Sequence, residues 1–339
     1  MAIKHWWRLF LIIATAPGRC GIVGNPTDIY GGSVISISTR ERATCTLSPS
    51  DSLKVVSSGE AGELQSRADL EMRGDKLDII RAALKWFEID PAAARFSIEI
   101  STEIPMQAGM AGSTALLATL VGALDRHLDL KMHPWAIAET ARKIESRVMH
   151  VVCGLQDQHM AVFGGLNYMD FAGKERLEQR DDEPLATIEP LAAHAPALPL
   201  ITANTGVKHH SGTVHSSPRE RWLAGDQLVI DAYVRIAQLA RLGKRSLLSG
   251  DWRTLGSLMN QNHEIVAGLG GSGEANDRLI NAALQAGAYG AKLAGAGGGG
   301  TIIALCEDLE RVKGALLDAG ATSLSAPIPS PGLTVTESA

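Results

Sequence analysis

The chain has 339 residues, of which 45% are hydrophobic, 20% charged and 4% aromatic, and its formal net charge is −5. This length allows one large or two medium-sized domains with a substantial core, and the composition is ordinary for a soluble globular protein. Because aromatic residues are scarce, we expect an aliphatic core. The acidic balance argues against nucleic-acid binding, since that function needs a basic surface.

The cysteines lie far apart and form no CxxC pair. This spacing argues against structural zinc, and a disulfide framework is not expected in a chain this long. Reduced cysteines fit a cytoplasmic protein. The apolar residues 9–13 faintly resemble a signal peptide, but they lead directly into a glycine motif and are better explained as a first strand. No apolar stretch approaches the length of about 20 residues that spans a bilayer, so we expect no membrane association; the protein is expected to be a monomer or a homodimer.

The distribution of apolar residues predicts a mixture of strands and helices in the first half of the chain. Residues 95–101 alternate apolar and polar side chains, as in a half-buried strand, whereas residues 75–87 carry apolar side chains at helical spacing. Further strands are predicted at residues 9–14, 33–38, 43–47, 53–57 and 166–171, and further helices at residues 116–128 and from Pro134 towards residue 152.

The second half begins with a change of composition. Residues 174–199 are charged and then rich in proline, which indicates a surface connection between domains. The proline- and serine-rich end of the chain predicts a loosely ordered tail. Beyond the connection, strands are predicted at residues 198–204 and 301–305, and helices at residues 219–242, 252–267, 276–286 and 309–319. We therefore predict an α+β protein whose N-terminal domain (residues 1–182) and C-terminal domain (residues 183–326) meet at a cleft, with a flexible tail at residues 327–339.

Three glycine-rich segments stand beside apolar strands or helices. Residues 292–300 end in four consecutive glycines, residues 17–19 run into residues 24–28, and residues 105–115 contain two glycines. Backbone with few Cβ atoms can adopt positive φ and approach a ligand closely. A single such segment is as well explained by a flexible turn, but three of them suggest one phosphate-handling site assembled from distant parts of the chain.

The segment 105–115 lies between a predicted strand and a predicted helix. Backbone N–H groups at the start of a helix, together with the helix dipole, form an anion site. The spacing matches neither a Walker P-loop nor a Rossmann fingerprint. Ser113 or Thr114 could offer a hydroxyl group to Mg²⁺; alternatively, Ser113 is simply the cap of the helix.

Several charged residues are candidates for chemistry. Glu145 and Asp157 flank a glycine break at Gly154, and a carboxylate in these apolar surroundings is a candidate general base or metal ligand. The alternative is a solvent-facing aspartate on a helix. Arg19 can pair with a carboxylate or a phosphate, and Asp28 can accept hydrogen bonds from a polyol, although both are also explained by ordinary turn chemistry.

Taken together, residues 17–19 with Gly24, Thr27 and Asp28, residues 109–115 and residues 292–300 resemble the three signature motifs of the GHMP kinases. This family includes galactokinase, homoserine kinase, mevalonate kinase and phosphomevalonate kinase. The motifs occur in the family's order. The resemblance implies an N-terminal domain similar to ribosomal protein S5 domain 2, a ferredoxin-like C-terminal domain, and ATP with Mg²⁺ between them.

The resemblance also implies roles for individual residues. Asp157, in the segment Gly-x-x-Asp-Gln, corresponds to the catalytic base; Ser113 and Glu145 correspond to the Mg²⁺ ligands. Arg19 would assist the reacting hydroxyl group and the γ-phosphate, and Asp28 would bind the sugar. The implied ATP-binding residues are Pro105, Gly109, Met110, Ala111, Gly112, Ser113, Thr114, Ala115, Gly295, Gly297 and Gly298.

A narrower resemblance concerns the acceptor. Asn25-Pro26 stands where galactokinases have a Glu-His pair, which argues against galactose. Residues 24–30 and 164–171 resemble the glucuronokinase branch, whose members phosphorylate the anomeric hydroxyl of glucuronate. A uronic acid needs a cation for its carboxylate. The candidates are Lys208, His209 and His210 in the polar segment after residue 204, unless this segment is only a solvated loop, and Arg219. The implied substrate-binding residues are Asn25, Asp28, Tyr30, Asp157, Lys208 and His209.

Other functions remain compatible with the same motifs. The acceptor could be a heptose phosphate or a neutral aldose. A decarboxylase similar to diphosphomevalonate decarboxylase shares the fold and the ATP step, but the Gly-x-x-Asp-Gln segment and Asp28 favour a sugar. A non-catalytic sensor of sugar and ATP is disfavoured because Ser113, Glu145 and Asp157 are all present.

Overall fold

The computed structural model of the protein describes residues 10–174, 183–207, 216–295, 297 and 299–338. These residues form two sheets with helices packed against them. The predicted α+β class is confirmed. Among the described residues, no helix is both long and apolar enough to cross a membrane.

The larger sheet has eight strands and lies mainly in the first half of the chain. Its main path runs in the order β12-β1-β2-β5-β3-β4, with β6 paired to β2 and β7 paired to β6. The pairs are antiparallel except for β3 with β5. The strands are β1 (Leu11–Val23), β2 (Ser33–Pro49), β3 (Leu53–Ser57), β4 (Glu60–Leu64), β5 (Phe96–Thr102), β6 (Leu166–Asp170), β7 (Thr187–Pro190) and β12 (Thr334–Ser338).

Four helices accompany this sheet. They are α1 (Asp78–Trp86), α2 (Gly112–Leu128), α3 (Pro134–Lys143) and α4 (Gln156–Phe163), and a π-helical turn at Ile144–Val148 follows α3. Helix α2 contacts both β1 and β2 and is buried over most of its length. Its apolar residues therefore surround the helix rather than form a single stripe. This central position brings the N-terminus of α2 to the edge of the core.

The second sheet has the order β11-β8-β10-β9 and is entirely antiparallel. Its strands are β8 (Leu200–Asn204), β9 (Gly290–Leu293), β10 (Thr301–Leu305) and β11 (Ser323–Ser325). The helices of this half are α5 (Ser216–Leu223), α6 (Gln227–Ser249), α7 (Trp252–Gly268), α8 (Glu274–Gln285) and α9 (Leu309–Asp318). One hydrophobic cluster contains residues of both halves, including Ile35, Leu239 and Ile303. This cluster joins the two halves, whereas a separate cluster, which includes Ile201 and Leu279, belongs to the C-terminal half alone.

Two predicted elements differ from the observed ones, and both contain a glycine. In one, the strand continues through the glycine; in the other, the glycine ends a helix. The segment 17–19 is not a turn between short strands: β1 continues through it and accommodates it by register shifts at Pro17/Arg19 and Gly21/Val23. By contrast, the predicted helix at residues 219–242 is interrupted. Gly225 has a φ of +77°, and the Asp226 side chain accepts a hydrogen bond from the Leu228 N–H, which starts a new helix.

The end of the chain is not a loose tail. Strand β12 pairs with β1, with Thr336 opposite Ile13, and Arg42 donates hydrogen bonds to the carbonyl groups of Pro331 (2.7 Å) and Gly332 (2.8 Å). The three β-branched residues 334–336 favour a strand, a signal that the surrounding prolines and serines obscured.

The predicted domain boundary also shifts. Within the segment 174–199, strand β7 still pairs with β6 of the first sheet. The change from the first sheet to the second therefore falls between Pro190 and Leu200 rather than at residue 183.

Candidate active site

The loop before α2 (residues 105–111, the α2 loop) presents backbone N–H groups to a cleft. Three of its residues have φ in the left-handed region: +57° at Gln107, +72° at Gly109 and +62° at Ala111. Helix α2 begins at Gly112, so Ser113 is its second residue and not its cap. No side chain of the described residues caps α2 at Ala111, so the first N–H groups of this helix suit an anion.

Arg19 connects this loop to two other parts of the chain. It lies within β1 and is 5% exposed. Its Nη1 donates to the carbonyl oxygens of Gly109 (2.5 Å) and Ala294 (3.3 Å). Its Nε and Nη2 both lie 2.7 Å from Asp157 Oδ1. Burial alone lowers the pKa of Arg19, but the ion pair with Asp157 outweighs it and raises the pKa above its ordinary value. The guanidinium group therefore stays charged where the three segments meet.

Asp157 lies in the first turn of α4, where the helix dipole favours a negative charge. Its side chain is 26% exposed. Oδ1 is bound by Arg19, whereas Oδ2 accepts no hydrogen bond from any residue that the structure describes. One carboxylate oxygen is thus oriented by a cation and the other is available to a ligand.

The start of α4 is held by Asp28. Its Oδ2 accepts hydrogen bonds from the N–H groups of Leu155 (2.6 Å) and Gln156 (3.0 Å). A Cβ atom at Gly154 would lie 2.0 Å from the same oxygen, so any larger residue would displace the Asp28 carboxylate. Asp28, expected as a sugar ligand, therefore also anchors the helix that carries Asp157.

Glu145 is a buried carboxylate in the π-helical turn. Its Oε1 accepts a hydrogen bond from Thr114 Oγ1 at 2.7 Å, and its Oε2 accepts one from Gln158 Nε2. Burial raises the pKa of the Glu145 carboxyl, and the nearby charge of Asp157 acts in the same direction. No lysine or arginine of the described chain pairs with Glu145. A buried carboxylate without a cation suits a metal ligand.

The exposed Ser113 hydroxyl and Glu145 both line the cleft. This hydroxyl–carboxylate set fits Mg²⁺, which takes oxygen ligands and usually keeps several from water and phosphate. No cluster of three or more His, Cys, Asp or Glu side chains that could hold a metal exists among the described residues. The two residues would therefore supply only part of the coordination.

The loop between β9 and β10 (residues 294–300) packs directly on the α2 loop. A Cβ atom at Gly295 would lie 2.5 Å from the carbonyl oxygen of Gly109, and one at Gly297 would lie 1.6 Å from that of Gly271. The Ala294 carbonyl also accepts a hydrogen bond from the Gly21 N–H at 2.9 Å. Glycine is required here because the two backbones touch.

These elements enclose a cavity of about 300 Å³. Eleven of the residues predicted for the site line it: Arg19, Asp28, Gly109, Met110, Ala111, Gly112, Ser113, Thr114, Glu145, Asp157 and Gly295. The three glycine-rich segments and the two carboxylates therefore meet at one place, as the sequence suggested.

Other predicted residues lie beside the cavity rather than on its wall. Pro105 is exposed, and Ala115 is buried within α2. Tyr30 stacks on Tyr233 with the ring centroids 4.1 Å apart. Asn25 is buried and donates a hydrogen bond to Gly295 O at 3.2 Å. Gly297 packs on Gly271. Lys208, His209, His210 and Gly298 lie outside the described residues.

Several contacts and residues that shape the site were not predicted from the sequence. Thr114, rather than Ser113, contacts Glu145, and Gln158 holds the other oxygen of this carboxylate. The Asp-Gln pair was the signal for Gln158. Lys292 begins the third glycine-rich segment, but the sequence assigned it no role, and nothing in the sequence pointed to Asn262.

Comparison with known proteins identifies the family. Residues 78–165 match the N-terminal domain of the GHMP kinases, and residues 244–322 match their C-terminal domain. The chain is 30% identical to glucuronokinase 1 of Arabidopsis thaliana over 315 residues, which cover 86% of this chain and 83% of the relative. The chain belongs to the GHMP kinase family.

Further relatives support this membership. Mevalonate kinase of Pyrococcus abyssi is 27% identical over 347 residues, covering 96% of this chain and 98% of the relative. Among solved structures, Lactococcus lactis galactokinase in complex with galactose has a TM-score of 0.76 at 18% identity, covering 96% of this chain and 95% of that one. A D-glycero-D-manno-heptose 1-phosphate kinase from Bacteroides thetaiotaomicron has a TM-score of 0.73 at 20% identity. The match covers 96% of this chain and 98% of that one. These two structures confirm the predicted two-domain GHMP kinase fold.

Membership of this family makes the protein an ATP-dependent kinase with an alcohol group as acceptor. ATP is therefore the phosphoryl donor. The cleft described above, with its helix N-terminus, arginine and carboxylates, has the groups that phosphoryl transfer needs.

We expect Glu145→Gln to weaken the response of the kinase to Mg²⁺. The amide keeps the size of the side chain and can still accept the Thr114 hydrogen bond, but it removes the charge that a divalent cation needs. At low millimolar Mg²⁺ the rate should fall roughly a hundredfold, with partial recovery at high Mg²⁺. Steady-state rates across a Mg²⁺ titration measure this. The control is Glu264→Gln, a change at an exposed position of α7. An unchanged Mg²⁺ dependence in Glu145→Gln would show that Glu145 is not a metal ligand.

Proposed function

We propose that the protein transfers the γ-phosphoryl group of ATP to the anomeric (C1) hydroxyl of a sugar acid, converting glucuronate to glucuronate 1-phosphate. The observation that carries the proposal is the 30% identity to glucuronokinase 1 over most of both chains. A second relative, probable glucuronokinase 2 of the same plant, is 29% identical over 316 residues. We further propose that the enzyme acts in the cytoplasm.

In this reaction Asp157 is the general base. Oδ2, which the described residues leave without a hydrogen bond, would accept the proton of the acceptor hydroxyl as that oxygen attacks the γ-phosphorus. Arg19 holds Oδ1 at 2.7 Å, which orients the carboxylate. A positioned base of this kind contributes by removing the proton in the transition state.

The transferring phosphoryl group needs positive charge and N–H donors around its oxygens. The N-terminus of α2 supplies the donors, and Arg19 supplies a fixed positive charge next to the α2 loop. Gly295 closes the other side of the loop without a side chain. Mg²⁺, held by Ser113 and Glu145, would neutralise phosphate charge when bound.

The acceptor would lie on the Asp28 side of the cavity. Asp28 Oδ1 faces Gln156 Nε2 at the long distance of 3.5 Å, and both residues line the cavity. We propose that this oxygen accepts a sugar hydroxyl while Oδ2 keeps its hold on α4. Asn25 and Tyr30 belong to the same loop but do not line the cavity, so they would support the acceptor-binding wall without touching the acceptor.

A carboxylate on the acceptor needs a cation of its own. Among the residues that the structure describes, Arg19 is the only cationic side chain that lines the cavity. Arg19 already forms an ion pair with Asp157. We propose Lys208 and His209 for this role. Arg219, on α5, is a further candidate because its charge acts on the Tyr30 hydroxyl beside the cavity.

Mevalonate is the second candidate acceptor. Mevalonate kinases of several archaea are 25–28% identical to this chain, and the one from Pyrococcus abyssi covers 96% of it. Like glucuronate, mevalonate is a hydroxy acid, so a cation near the cavity fits both. The higher identity to the glucuronokinases favours the sugar acid.

The test is ADP release in the presence of ATP and Mg²⁺ with one acceptor at a time. The panel contains glucuronate, galacturonate, galactose, a heptose phosphate and mevalonate. We expect the highest kcat/KM with glucuronate. A preference for mevalonate would replace the proposal by the second candidate, and a preference for galactose or the heptose phosphate would refute the carboxylate site. Silence with every acceptor would indicate a sensor or a decarboxylase.

A further inference from the structure

Lys292 is a buried lysine without a carboxylate partner among the described residues. It is 1% exposed, and its Nζ donates to Asn25 Oδ1 at 2.7 Å and to the Leu293 carbonyl at 2.5 Å. Burial and the nearby charge of Arg19 lower the pKa of Lys292 to about 7. A buried amine that is not paired with an acid costs free energy. This cost calls for a structural role, since Lys292 does not line the cavity.

The partner of Lys292 is the first polar residue of the loop that carries Asp28 (residues 24–30, the Asp28 loop). The Asn25 side chain accepts from Lys292 through Oδ1 and donates through Nδ2 to Gly295 O at 3.2 Å. A Cβ atom at Gly21 would lie 2.4 Å from Asn25 Oδ1, so this amide is tightly enclosed. Asn25 thus joins the Asp28 loop to the backbone of the C-terminal half.

A second side chain holds the same loop from another element. Asn262 on α7 is fully buried. Its Oδ1 accepts from the Gly24 N–H at 2.8 Å, and its Nδ2 donates to the Asn25 carbonyl at 3.1 Å. Consecutive residues of the Asp28 loop are therefore fixed to the C-terminal half by side chains that lie outside the cavity.

We propose that Lys292 and Asn262 are positioning residues that fix the Asp28 loop for acceptor binding, acting through Asn25 and Gly24. The loop ends in the turn that places Asp28, and Asp28 in turn holds the start of α4. Loss of either anchor displaces the acceptor-binding oxygen of Asp28 while leaving the α2 loop, where ATP binds, in place. The inference rests on the proposed function, because it assumes that the acceptor meets Asp28.

The variants that test it are Lys292→Met and Asn262→Ala. Methionine matches the length of lysine but cannot donate to Asn25; alanine removes both bonds of Asn262. We expect each variant to raise the KM for the acceptor about tenfold, with the KM for ATP changed less than about twofold. Both anchors act on one loop. The acceptor KM of the double variant should therefore rise by less than the product of the two single-variant increases.

Lys174→Met is the matched control. Lys174 is also 1% exposed, but it pairs with Glu139 (2.9 Å) and Glu183 (3.2 Å) away from the cavity. We expect this variant to lower the melting temperature and leave both KM values unchanged. The assay uses the full-length enzyme with the best acceptor of the panel, so the inference is tested even if that acceptor is not glucuronate.

Two results would overturn the inference. One is an unchanged acceptor KM in folded Lys292→Met and Asn262→Ala, established by thermal melts. The other is an equal rise of the acceptor and ATP KM values, which would indicate general damage rather than positioning. Failure of the proposed function would appear separately, as a wild-type enzyme that does not use glucuronate.

Discussion

Replacing Asp157 with asparagine should lower kcat by about two to four orders of magnitude, the usual contribution of a general base. Asparagine keeps the shape of the side chain, and its amide oxygen can still accept hydrogen bonds from Arg19. It cannot take the proton of the acceptor hydroxyl. ATP binding should persist, because the α2 loop is untouched. Steady-state kinetics give kcat, and calorimetric titration with ATP gives the binding constant.

The control for this prediction is Asp231→Asn. Asp231 is an exposed residue of α6 that accepts a hydrogen bond from Gln227 at 2.7 Å and does not line the cavity. It should leave kcat and ATP binding unchanged. Retention of a near-wild-type kcat by Asp157→Asn would show that Asp157 is not the base.

The second large effect is expected from Arg19→Met. This change removes the partner of Asp157 and the donor to the Gly109 and Ala294 carbonyl oxygens. It also removes the fixed positive charge next to the transferring phosphoryl group. Loss of one such preorganised donor typically costs about two to three orders of magnitude in kcat. Rapid-quench measurement of a single turnover would report the chemical step directly.

Arg19→Lys separates charge from geometry. Lysine keeps the positive charge but cannot form the fork by which Nε and Nη2 hold one oxygen of Asp157. We expect it to recover part of the rate lost in Arg19→Met. Equal rates for Arg19→Met and the wild type would contradict the role of Arg19, and a wild-type rate for Arg19→Lys would show that charge alone suffices.

Much of the site could be predicted from the sequence because its backbone is unusual. Gly295, for example, lies where two chain segments touch, and a Cβ atom there would lie 2.5 Å from the carbonyl oxygen of Gly109. This requirement leaves a visible pattern of short motifs. Asp157 could be located because it follows the glycine break at Gly154, where the Asp28 carboxylate leaves no space for a Cβ atom.

The remaining features depend on contacts between residues far apart in the sequence. Spacing alone left open whether Ser113 or Thr114 offers a hydroxyl group to Mg²⁺, and it did not predict the hydrogen bond from Thr114 to Glu145. The hold of Asp28 on α4 spans 127 residues, and that of Asn262 on Asn25 spans 237. No local pattern encodes such pairs, so only the fold reveals them.

Two features that the sequence analysis missed have separate causes. Strand β12 exists because residues 334–338 find an edge of β1 with which to pair, although proline and serine surround them. The break after α5 follows from the positive φ of Gly225, which is indistinguishable in sequence from a glycine tolerated inside a helix.

The measurement that tests the central claim most directly is phosphorus NMR of the product formed from ATP, Mg²⁺ and glucuronate. A phosphate on the anomeric oxygen gives a resonance split by coupling to the single proton at C1, and we predict this splitting together with stoichiometric ADP. A new resonance without coupling to the anomeric proton would place the phosphate on another hydroxyl group. Formation of ADP and free phosphate alone, with no phosphorylated sugar, would contradict the claim that this GHMP kinase is a sugar-acid 1-kinase.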